Sequence, residues 1–379
     1  VFFNANIGTT QRLGTLIVDT ASGGVTFGAA DTATTGGDGF VTAVMTDGLI
    51  DIGSGGTAAD IISGTGIRLN GGTAARLITF TTSNDSLRFN GAVQLDTDVM
   101  LLTDAGTGAN VLFTNDASID SQSGEANDLT IDVGTASVFF NEDIGAASGT
   151  SQLGRLIVQQ ADGGVTFGGG DDETSADNGP VNQINLVGDS TTANALDIGS
   201  AAIITGGIVF NGGTGTAGDK LTITTSNDAI RLNGAITLAT DLRIDTDIAA
   251  ASGAEVGNVL FTNDASIDST SNEANDLVID AGTASVFFNE DIGAFSATSQ
   301  LGRLEIEQAD GGVTFGQADD ESAADTGPVE VINLVGDGTA GNSFDIGSLS
   351  VISGTGIRLN GGASNLLALT TTDDSIRFN

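Results

Sequence analysis

The sequence predicts an all-β chain wound as a right-handed parallel β-helix (β-solenoid), with about 25 residues per turn, running through residues 1–379 as one continuous solenoid. Three observations predict it: a long phrase that recurs, a period-2 alternation of apolar residues in short segments, and a composition too monotonous for an irregular globule.

The recurring phrase is Val138-Phe139-Phe140-Asn141-Glu142-Asp143-Ile144-Gly145, which returns as Val286 to Gly293 and is preceded by the variant Val1-Phe2-Phe3-Asn4-Ala5-Asn6-Ile7-Gly8. It divides the chain into units 1–137, 138–285 and 286–379, the last cut short. Each unit divides again at short openings in which two apolar residues flank a variable one. In the second unit these begin at Val138, Val165, Ile208, Ile230 and Val259, and Ile184-Asn185-Leu186 supplies a sixth in the longest interval. Six turns of about 25 residues then fill one unit.

Within a turn, the opening strand gives way to a glycine-rich polar stretch and then to a second alternating strand, as in Leu156-Ile157-Val158, Leu221-Thr222-Ile223 or Leu277-Val278-Ile279. Turn signals such as Asp162-Gly163-Gly164 and Ser226-Asn227-Asp228 close the segment. Helical spacing is sustained nowhere. One turn cannot bury its own apolar face, so equivalent turns must stack, Val on Val and Phe on Phe, at about 4.8 Å.

Asn4, Asn70, Asn90, Asn141, Asn211, Asn233, Asn289, Asn360 and Asn379 each follow an opening strand. Two readings stand: turn formers in the left-handed region, or a stacked internal amide ladder. Arg68, Arg88, Arg231, Arg358 and Arg377 sit between two inward apolar residues, so alternation points them outward, where they would relieve acidic repulsion.

The formal charge is −38, from 49 acidic and 11 basic residues, which excludes nucleic acid as a partner. With no His and no Cys, triads, thiol nucleophiles and ordinary zinc sites are excluded too. No stretch reads as a transmembrane segment or signal peptide, and the chain, which starts at Val1, reads as an excised piece. Carboxylates recur in every unit instead of marking one exceptional turn, so no catalytic, cofactor-binding or metal residue is assigned. Asp171-Asp172-Glu173 with Asp177, and Asp319-Asp320-Glu321 with Asp325, are oxygen-rich loops that Ca2+ or another divalent cation could occupy, or else simply solvated acidic loops; the first unit offers only Asp31 and Asp38 there.

Val286-Phe287-Phe288-Asn289-Glu290-Asp291-Ile292-Gly293, Gly311-Gly312-Val313-Thr314-Phe315-Gly316 and Ile357-Arg358-Leu359-Asn360-Gly361-Gly362 give the chain a pattern that resembles filamentous-haemagglutinin-like and autotransporter-like bacterial surface β-helices, and giant β-strand-repeat extracellular proteins. The resemblance implies secretion, an extracellular or cell-surface location, and a non-catalytic structural role in a filament or giant surface protein. A secreted adhesin stalk is the alternative; a β-helical polysaccharide lyase or glycosidase is a third reading. The expected partner is the protein itself, through longer covalent repeats or end-to-end stacking.

Overall fold

The computed structural model describes the chain except residues 29–38, 55–60, 73–75, 104–107, 171–178, 189–192, 214–219, 248–256, 317–325, 337–341, 363–365 and 373. Every regular element among the described residues is a strand, most of them three to six residues long, and every pairing between strands is parallel. No helix is long and apolar enough to cross a membrane. The chain forms two compact units, Val1–Leu186 and Val187–Asn379.

In the first unit the chain visits three parallel sheets in rotation. One contains Phe2–Phe3, Val25–Phe27, Ile67–Leu69, Val93–Leu95 and Ile119–Ser121; a second contains Ala43–Met45, Leu77–Thr82, Asp98–Thr103, Leu129–Gly134 and Leu156–Ala161. The third contains Leu16–Val18, Ile50–Ile52, Leu87–Phe89, Val111–Phe113, Ser137–Phe140 and Gly164–Phe167. Register is kept without slip over most of these ladders: Leu87, Val111, Val138 and Val165 lie in one row and Phe89, Phe113, Phe140 and Phe167 in another. Alternation explains the result, since the residues at these two positions are inward and buried while those between them face away.

The second unit repeats the arrangement. Leu196–Ile198, Ile230–Leu232, Val259–Phe261, Ser285–Phe288, Gly312–Phe315 and Ile357–Leu359 form one sheet. Ile208–Phe210, Ile236–Leu238 and Ile267–Ser269 form another, and Lys220–Thr224, Asp241–Asp245, Leu277–Asp280, Leu304–Gln308, Asn342–Ile346 and Ser375–Phe378 a third. Val331–Leu334 pairs with Ala368–Thr371.

Three features correct the sequence reading. Each circuit has three strands, not two: the additional one, such as Val93–Leu95 or Ile236–Leu238, follows so closely on an Asn-Gly pair that it reads as loop. The long intervals are single circuits, because Val25 pairs directly with Ile67 and Val313 with Ile357, while Ile184 bridges to Ile144 in a different row. The openings also do not form one column. Ile208 pairs with Ile236, whereas Ile230 pairs with Leu196 and Val259.

The third correction has a deeper cause. Within the first unit, Phe2–Phe3 lies in one sheet and its sequence repeat Ser137–Phe140 in another, and the same holds for Val25–Phe27 and Gly164–Phe167. The sequence repeat is therefore not a whole number of three-strand circuits. The phenylalanine column has to change sides as a result. Phe3 and Phe27 stack at 4.8 Å, Phe80 meets Phe27 and Phe89 edge-on at 5.1 and 6.1 Å, and Phe89, Phe113, Phe140 and Phe167 then stack at 5.2, 5.4 and 5.0 Å. Phe80, on the second sheet, is the relay. In the second unit Phe261, Phe288 and Phe315 stack at 4.9 Å each.

Candidate functional site

The predicted arginine and asparagine stripes meet in a repeated cross-strand clamp. Ile50-Asp51-Ile52-Gly53 lies beside Leu87-Arg88-Phe89-Asn90 with Asp51 opposite Arg88. Arg88 Nη1 is 3.3 Å from Asp51 Oδ1 and donates to the Gly53 carbonyl at 2.5 Å. Asn90 Nδ2 donates to the same carbonyl at 3.0 Å, using its second lone pair, and Asn90 Oδ1 accepts from the Thr114 hydroxyl at 2.9 Å. The second unit repeats the set: Asp197 opposes Arg231 at 3.2 Å, Arg231 and Asn233 both donate to Gly199 O at 3.0 Å, and Thr262 donates to Asn233 at 2.9 Å. Asp345, Arg377, Gly347 and Asn379 form a third set, with the ion pair at 3.4 Å and the amide bond at 2.9 Å.

The glycine is required by the backbone. Gly53, Gly199 and Gly347 have φ of 93°, 84° and 83°, and a Cβ on Gly199 would lie 2.7 Å from the Asn233 carbonyl oxygen.

Arg88 and Arg231 are thus not solvent-facing screens. They are 1% and 7% exposed, although they do lie on the side of the strand opposite the inward Leu87, Phe89, Ile230 and Leu232. Arg68 pairs instead with Asp96 at 2.5 Å, and Arg358 stands opposite Thr314. None of the nine asparagines has positive φ, so the left-handed turn reading does not apply to them. The amides of Asn90, Asn141, Asn233, Asn289, Asn360 and Asn379 donate to backbone carbonyls across the strand pairing, as Asn141 does to Gly170 and Asn360 to Gly316, and the Asn90 and Asn233 carbonyl oxygens take threonine hydroxyls. The clamp went unread because its acidic half, Asp-Ile-Gly, lies a full circuit upstream of Arg-x-Asn. The signal was present: an Asp-Ile-Gly phrase precedes its Arg-x-Asn partner once in each of the three sequence repeats.

A cluster of opposite charges lies on the third sheet of the second unit. A groove there is lined by Lys220, Asp241, Arg243, Asp276, Arg303 and Glu305, among others. Arg243 holds Glu307 at 2.7 Å, Asp245 at 3.3 Å and Asp280 at 3.8 Å; Arg303 holds Glu305 at 2.7 Å and Asp276 at 3.3 Å. Burial alone would loosen the Arg243 proton, but the bond to Glu307 and the charges of Glu307 and Asp245 hold it more tightly than usual. Asp245, Asp247 and Asp280 bring carboxylate oxygens within 4.8 Å of one another, close enough to ligate a hard cation. Arg243 already neutralises two of the three. Asp31, Asp38 and the loops at 171–173, 177, 319–321 and 325 lie outside the described residues.

Several carboxylates are held in protonatable surroundings. Burial raises Asp96 despite Arg68, and raises Asp120, Asp268, Asp280, Glu142 and Glu290; Asp247 is raised by burial and by the charges of Asp280 and Asp245. Asp120 and Asp268 are repeat equivalents that accept the backbone N–H of Ala147 and Phe295 at 3.0 Å. A carboxyl whose pKa is higher folded than unfolded binds more protons in the folded state between the two values, so stability falls as pH rises through that window. The melting midpoint should therefore rise as pH is lowered from neutrality towards about 5, with relief of the −38 charge acting in the same direction. Asp120→Asn with Asp268→Asn should flatten the profile in thermal melts; a midpoint that drops on acidification over this range contradicts it.

No protein family, curated protein or solved structure matches the chain.

Proposed function

We propose that the chain is a right-handed parallel β-helix and a non-catalytic structural segment of an extracellular filament or giant bacterial surface protein, of the haemagglutinin-like or autotransporter-like kind. The observation that carries this reading is how the polar chemistry is spent. The buried arginines, asparagines and threonines bond to one another and to glycine carbonyls in the same pattern in both units, which is what a stack of equivalent coils needs and what a reaction centre does not. Right-handedness follows from the crossover preference of parallel strands. The third-sheet groove supports the same reading, because its arginines and carboxylates are engaged with one another.

Small-angle X-ray scattering and negative-stain electron microscopy of the purified chain test it. The expected particle is a rod several times longer than wide, with no turnover of acidic polysaccharide. Globular particles, or release of unsaturated or reducing sugar ends, would overturn the proposal.

A further inference from the structure

Asn-Gly is the dipeptide most prone to lose its side-chain amide, because glycine leaves its own nitrogen sterically free to reach the preceding Asn Cγ. Asn70-Gly71, Asn90-Gly91, Asn211-Gly212, Asn233-Gly234 and Asn360-Gly361 are such pairs among the described residues, and Asn178 of a sixth lies outside them. In the reaction the glycine nitrogen bonds to Cγ, the Cγ–Nδ2 bond breaks, and Nδ2 leaves as ammonia with the proton the glycine nitrogen gives up. Water then opens the cyclic imide to aspartate or isoaspartate.

At four of the five pairs the reacting groups are engaged elsewhere. The attacking nitrogen is occupied at Asn70 and Asn211: Gly71 N–H donates to Thr97 Oγ1 at 3.0 Å and Gly212 N–H to Thr240 Oγ1 at 2.9 Å. At Asn90 and Asn233 the amide itself is pinned from both ends, Nδ2 by a glycine carbonyl and Oδ1 by Thr114 or Thr262. The geometry points to Thr97, Thr114, Thr240 and Thr262 as guard residues that suppress deamidation while neighbouring strands are stacked, and to Asn70, Asn90, Asn211 and Asn233 as modification sites that react when the stack opens. The change is one-way. An aspartate at position 90 would set a carboxylate oxygen against the Gly53 carbonyl, acceptor to acceptor, beside Asp51. Asn360 keeps its carbonyl bond, at 2.6 Å to Gly316, but no threonine bond to it or to Gly361 is seen among the described residues.

Peptide mass spectrometry on the full chain, held at mildly alkaline pH folded and in urea, tests this by counting aspartate and isoaspartate at each site. In the folded chain the four guarded sites should react at least about a hundred-fold more slowly than in urea, since opening must come first, and Asn360 should react fastest of the five. Thr97→Val should speed Asn70 alone, and Thr114→Val Asn90 alone, by roughly five-fold, the worth of one net hydrogen bond. Folded rates within a few-fold of those in urea overturn the inference. So does a rise spread evenly over all sites in both variants, which would mark general loosening instead of a local guard.

Discussion

Arg88→Ala is expected to destabilise the chain by about 3–5 kcal/mol, because truncation takes the guanidinium away from a carboxylate held where water is largely excluded. Arg88 is 1% exposed and Asp51 8%, and the guanidinium also supplies one of the two donors on the Gly53 carbonyl. Arg88→Met combined with Asp51→Leu removes both charges at similar volume and should recover most of that loss. Urea denaturation followed by circular dichroism reads both. If the single variant unfolds at the wild-type midpoint, the clamp contributes nothing and Arg88 is buried for some other reason. Arg358, which stands opposite Thr314, is the control, and its alanine variant should stay within about 0.5 kcal/mol of wild type.

The second large effect belongs to the aromatic column. Phe113 is 1% exposed and stacks on Phe89 and Phe140 at 5.2 and 5.4 Å, so Phe113→Ala opens a cavity between two neighbouring rings that cannot close without breaking register. The expected loss is about 3–5 kcal/mol in the same denaturation measurement. Phe295, 86% exposed, is the matching control: Phe295→Ala should change stability by no more than about 0.5 kcal/mol. Equal effects from the two substitutions would show that the stacked column is not what holds adjacent circuits together.

Much of the architecture was legible in the sequence, and the reasons are physical. Alternation in phrases such as Val138-Phe139-Phe140 fixes which side chains face inward, and recurrence of the phrase requires equivalent partners, which gives all-β structure and parallel pairing. What escaped was the number of strands per circuit. Ile236-Thr237-Leu238 is only three residues long and begins three residues after Asn233, so local pattern cannot separate it from the glycine loop; only its partners Ile208 and Ile267 reveal it as a strand. The arginines show the complementary limit. Alternation places Arg88 correctly on the side away from the core, but burial there depends on Asp51 and Gly53, which are distant in sequence and adjacent only once register is set. The asparagines offered two readings, left-handed turns or a stack of amides, and the partners seen for Asn90 are instead a carbonyl and a hydroxyl, which carry no side-chain signature of their own.

The two copies of the Val-Phe-Phe phrase in the first unit belong to different sheets, and this bears on how such a chain would meet another molecule. A group placed once per copy does not stay on one sheet; between the first copy and the second it passes to another. A binder that needs its contacts in a straight row would have to read side chains related by neighbouring strands. One that reads a single copy would meet a different sheet at the next.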